Sequence, residues 1–82
     1  MSTYEQKKVE KEFKKFTRRH FEKPSKCKNL DQVRFYVHEL SNKIREFKNR
    51  FNYVPDHAYA LLTQYNNVQN SMIFTNFRHN YL

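Results

Sequence analysis

The stretch that decides the fold runs from Leu30 to Phe51, LDQVRFYVHELSNKIREFKNRF. Within it Leu30, Val33, Val37, Leu40, Ile44, Phe47 and Phe51 alternate three and four residues apart without a miss. A strand would alternate with a period of two. This spacing instead draws one apolar stripe along a helix for about three heptads, as in a bundle helix or a coiled-coil seam. Asn29 stands where an N-cap belongs, with Gln32 at the position of its capping-box partner. Arg34, Arg45 and Lys48 follow one flank of the stripe. Phe35 projects from the opposite side, among His38, Asn42, Glu46 and Asn49, as a candidate partner contact.

Upstream, a first helix is predicted over residues 2–22. Ser2 with Glu5 three residues later reads as a capping box. Val9, Phe13, Phe16 and His20 recur at intervals of four, three and four, the spacing of one helix face. At about 100° per residue, Lys7, Lys11, Lys14, Lys15 and Arg18 fall in one arc opposite that stripe, with Glu5, Glu10 and Glu12 on its flanks and Glu22 intruding. Tyr4 and Phe21 project near the same basic face. Pro24 ends the helix, since it lacks an N–H and disfavours helical geometry at Lys23. Residues 24–28 then form a connector.

Downstream, Asn52 to Val54 turns the chain, and Pro55 suits the first position of a third helix, with Asp56 in its first turn. Ala58, Leu61, Leu62, Tyr65, Val68 and Met72 continue a helical stripe. The pattern then shifts to Ile73, Phe77 and Tyr81, with Phe74 beside them. Two arrangements fit. One is a long helix over about residues 55–79 whose second apolar face packs on another chain. The other breaks near residues 66–70, because Asn66-Asn67 tolerates the left-handed conformation. The broken version makes residues 58–80 a helix-turn-helix that presents Gln69, Asn70, Thr75, Asn76 and Arg78 to base edges. The long helix is preferred. The expected fold is therefore all-α, a single domain over residues 1–82 forming a small antiparallel three-helix bundle, with a short fourth helix at the C-terminus if the chain breaks.

Composition supports the helical reading. There is no glycine among 82 residues, where about six are expected at ordinary usage. Tight hairpins, phosphate-cradling loops and dinucleotide-binding turns thereby lose their usual residue. Asn is the remaining type that adopts positive φ readily. Eight Phe and six Tyr supply a core, although a chain this short buries only about 60 % of its unfolded surface. The wealth of Lys, Asn, Tyr and Phe without Gly or Trp is also the bias of an AT-rich genome, of which phages and mobile elements are one source.

Sixteen Lys and Arg against eight Asp and Glu give a net charge of +8. Most of the excess lies in residues 1–28, where ten basic side chains meet four acidic ones. A basic block on a small domain points to a polyanion: nucleic acid, an acidic protein surface or anionic lipid. The lipid reading is weakest, because the apolar face of the first helix is needed against the second. The lone Cys27 cannot form an internal disulfide, which suggests a reducing, cytoplasmic location, and Lys26 and Lys28 beside it would favour the thiolate. No stretch is long and apolar enough to span a membrane, and the N-terminus has no hydrophobic signal core.

Catalytic signatures are missing. His20, His38, His57 and His79 sit on separate segments without metal-ligand spacing, and no serine has a nucleophile-elbow context. The expectation is a non-enzymatic protein with no cofactor, no metal, no small-molecule substrate and no membrane partner. The leading expectation is nucleic-acid binding, to DNA or RNA, through Lys7, Lys11, Lys14, Lys15, Arg18, Lys23, Lys26 and Lys28. The alternative is a protein–protein adaptor or inhibitor that docks on an acidic partner. It would use Phe35, Ile73, Phe74, Phe77 and Tyr81 as anchors, and a homodimer through the same aromatic face is a further arrangement.

Overall fold

In the computed structural model, which describes the backbone of residues 2–81 and the side chains of residues 2–75, the first two helices each begin where a side chain caps the backbone. Ser2 Oγ accepts from the Glu5 backbone N–H at 3.2 Å to open α1, Thr3–His20. Asn29 Oδ1 accepts from the Gln32 N–H at 2.8 Å to open α2, Leu30–Phe51. Gln32 reaches back, but its Oε1 takes the Lys28 N–H at 2.8 Å, one residue before the cap. Caps of this kind stabilise a helix end by about 1 kcal/mol. α3 covers Asp56–Tyr81, one residue later than the proline-based start.

The helices end as the chain's chemistry requires. α1 stops at His20, and Phe21 is already extended at φ −121° and ψ 137°. Pro24 then starts a 3-10 turn, Pro24–Lys26. Asn52 closes α2 in the left-handed conformation, φ 53° and ψ 32°, and its N–H bonds the Lys48 carbonyl at 2.9 Å. It is the one positive-φ residue described, and Asn there does the work usually given to glycine.

α1 and α2 run antiparallel, as do α2 and α3, so that α1 and α3 are parallel. Ring contacts fix the register. Phe13 meets Phe47 edge-on at 5.0 Å, Phe21 meets Tyr36 at 5.1 Å, Tyr36 meets Tyr65 at 5.5 Å, and Phe13 meets His57 at 5.6 Å. α2 and α3 form the close-packed pair, with α1 riding on them through large side chains. The core is Val9, Phe13, Val33, Leu40, Ile44, Phe47, Ala58 and Tyr65. The aromatic contacts set α1 and α3 out of step by some nine residues. An α3 about 39 Å long and an α1 starting about 14 Å earlier account for the 54 Å long axis. Each of these two helices therefore overhangs the bundle at one end.

The long helix preferred from the sequence is the one that forms, and the alternative break at residues 66–70 is absent: α3 is one continuous helix. Leu61, Tyr65, Val68 and Met72 all pack on the core. Keeping them on one face demands an uninterrupted helical phase through Asn66 and Asn67, so neither takes the left-handed turn. Neither the helix-turn-helix nor the fourth helix forms.

Candidate nucleic-acid interface

α1 carries Lys7, Lys8, Lys11, Lys14, Lys15, Arg18 and Arg19, all exposed. Helical geometry puts these seven within an arc of about 140° that faces away from Val9 and Phe13. Sequence reasoning named five of them and drew the arc too narrowly. Lys8 and Arg19 lie at its edge, and Arg19 lines a shallow depression of about 470 Å³ together with Lys11, Lys14, Lys15 and Arg18. Tyr4, 77 % exposed, falls on the midline of the same arc at the overhanging end of α1. Arg18 and Arg19 also sit in the last turn of the helix, where positive charge opposes the helix dipole and stabilises the end.

None of these cations is neutralised in place. The sole ion pair among the described residues is Lys43–Glu46, at 3.3 Å on α2. An i,i+4 pair between Glu10 and Lys14 does not form. Glu10 instead accepts from the Tyr53 hydroxyl at 2.7 Å, which ties α1 to the turn before α3. That hydrogen bond is the leading cause that raises the pKa of Tyr53. Lys43 is turned inward and lies over the Phe16 ring at 4.5 Å, a cation–π contact that joins α2 to α1.

The connector lysines separate. Lys23 heads the 3-10 turn and shares a cleft with Arg18. Lys26 is exposed at the end of that turn. Lys28 lines a different groove, between the start of α2 and Ser71, Met72 and Thr75 of α3, which has no lining residue in common with the first. Phe21 does not stand on the basic face. Because the helix ends at His20, the extended backbone swings its ring inward against Phe16 at 5.5 Å and Tyr65 at 6.0 Å. His20 lies on the bundle's rim, tilted on Phe16 at 4.9 Å, and is exposed.

Tyr65 anchors this region. It is 1 % exposed and its hydroxyl donates to the Glu22 backbone carbonyl, pinning the end of α1 to α3. Burial pushes its pKa well up. His57 packs on Phe13 with its Nε2 enclosed and without a hydrogen-bond partner. Burial, then the nearby Lys14, lowers its pKa. The Cys27 thiol donates to the Lys23 carbonyl at 3.6 Å. Burial and then Glu22 raise its pKa, the opposite direction to the one its lysine neighbours suggested. No group of three potential metal ligands occurs among the described residues.

Phe35 on α2 and Ile73 and Phe74 on α3 are the candidate protein-interface residues whose side chains are described. Phe35 is 58 % exposed, Phe74 61 % and Ile73 41 %. The helix register sets Phe35 level with about residue 66 of α3, roughly two turns short of Phe74. The side chains of Phe77 and Tyr81 lie outside the described residues. None of the described helices is long and apolar enough to cross a membrane. No family model, curated protein or solved structure matches this chain, so its functional reading comes from its own residues.

Proposed function

We propose that this chain is a small, non-enzymatic nucleic-acid-binding protein with an accessory or regulatory role, held to its ligand by the outer face of α1. The observation that carries the reading is the arc of seven exposed Lys and Arg on α1, none in an ion pair among the described residues. The cations recur every three or four residues, about 5–6 Å along the axis, which lets successive side chains reach successive phosphates. Each contact releases condensed counterions, so affinity is gained without any reading of sequence. Fluorescence anisotropy with labelled DNA and RNA oligonucleotides across a salt series tests this. Affinity is expected to fall steeply as salt rises. A chain that binds neither DNA nor RNA at low salt would refute the proposal.

A second reading, an adaptor or inhibitor docked on an acidic protein, draws support from exposed Phe35 and Phe74, aromatic types favoured as interface anchors. It becomes the working answer if the oligonucleotide titrations are flat.

A further inference from the structure

We propose that the ligand is single-stranded and that an unpaired base enters the cleft between the end of α1, the 3-10 turn and α3. This rests on the nucleic-acid reading and goes beyond it by naming the strand state and a base site. Three depressions run together on this side of the molecule. The basic one on α1 ends at Arg18, and Arg18 also lines a cleft of about 330 Å³ walled by Phe21, Pro24 and Leu61. Lys23, Pro24 and Leu61 continue into a wider, shallower part of about 600 Å³, where Gln64, Asn67 and Val68 of α3 complete the lining. Both volumes fall in the roughly 300–1,000 Å³ range of small-ligand sites.

The lining chemistry matches one nucleotide unit. Phe21, Pro24, Leu61 and Val68 offer an apolar wall to a flat ring. Gln64 and Asn67 lie three residues apart on one face of α3, and neither side chain is engaged in a hydrogen bond among the described residues. Such amides pair with the edges of bases. Arg18 and Lys23 flank the opening, so the phosphates on either side of the base would meet cations. The one acid in the lining is Glu22. Its Oε1 accepts from the Lys23 N–H at 3.2 Å, and its remaining acceptor capacity suits an exocyclic amine.

The cleft is held open in advance. The Tyr65 hydroxyl bonds the Glu22 carbonyl, and Pro24 fixes the turn beside it, so little ordering is left to binding. A base within a duplex is paired and stacked and cannot enter a recess behind the phosphate track. Single strands splay their bases outward, and stacking or apolar contact then adds to affinity.

The test uses the full chain and labelled 12-mers in three forms, single-stranded DNA, single-stranded RNA and duplex DNA, together with a single strand carrying several abasic sites. The double variant Gln64→Ala, Asn67→Ala alters only exposed helix positions. Single strands are expected to bind about tenfold more tightly than the duplex or the abasic strand. The double variant should lose about the same factor on the intact strand with its salt slope unchanged. The DNA and RNA arms tell which sugar is preferred. If duplex, abasic and intact strands bind alike and the double variant is neutral while salt dependence persists, the base site is refuted and the phosphate-binding face stands. If no oligonucleotide binds at all, both ideas fall together.

Discussion

α1 and α3 belong to the same bundle yet are built on opposite plans. The 18 residues of α1 hold seven Lys and Arg and three Glu, with a narrow stripe of Val9, Phe13 and Phe16 turned to the core. In α3 no Asp, Glu, Lys or Arg occurs from His57 to Phe77. Its inner face packs through Ala58, Leu61, Tyr65, Val68 and Met72, and its outer face bears Asn, Thr, Tyr and Phe. The same architecture thus presents one helix as a charged exterior and the other as an uncharged one. A charged exterior is costly to bury unless it is paired, so the outer face of α1 favours water or anionic groups. The uncharged face of α3 carries no such constraint, which suits it to the cleft proposed to take a neutral ring.

Phe13 is the point where α1 grips both partners, through Phe47 and His57. Phe13→Ala should cost about 3–5 kcal/mol, read by urea unfolding, and a loss under 1 kcal/mol would mean that α1 is not docked as described.

Asparagine offers a finer comparison, because the same residue type does opposite work in two places. Asn52 takes the left-handed conformation, whereas Asn66 lies within an unbroken, exposed stretch of α3. Asn52→Ala should destabilise by about 1–2 kcal/mol, the left-handed penalty of a residue with Cβ. Asn66→Ala should instead stabilise by up to about 0.7 kcal/mol through helix propensity. A destabilising Asn66→Ala would revive a break in α3.

The smallest effect concerns His57, whose pKa is lowered by burial and by Lys14, against opposing contributions from Glu10 and Asp56. The unfolded chain takes up the proton first, so stability is full above the ordinary histidine value of about 6.5 and declines as pH falls below it. His57→Gln should flatten that decline between pH 7 and 5. An equal decline in the variant would assign the effect to other groups.

Much of the fold was legible in the sequence, for identifiable reasons. The stripe of α2 uses large apolar residues at every three-four step, and Ser2, Asn29 and Asn52 stand at ends where only a few residue types satisfy the backbone. The phase of α3 was not legible past Met72. With no charge on the outer face, Ile73 and Phe74 look as apolar as the residues turned inward. Phe21 misled because a 100° projection was carried one residue beyond the helix, where the chain is extended. The ties from Tyr53 to Glu10 and from Tyr65 to Glu22 each join residues 43 apart, and they exist only once the helices are in register. The basic arc could be read from spacing alone. The cleft beside it could not, because its walls come from three separate segments.

The central claim is that the outer face of α1 binds phosphates, and it is tested most directly by measuring salt-dependent affinity for a single-stranded oligonucleotide beside the triple variant Lys11→Glu, Lys14→Glu, Arg18→Glu. If four to seven of the α1 cations engage phosphates, log K should fall against log salt with a slope of about −3 to −5, at roughly −0.7 per phosphate. The triple variant should lose binding while circular dichroism reports unchanged helicity. Binding that survives the triple reversal with the same slope would contradict the claim and move the interface off α1.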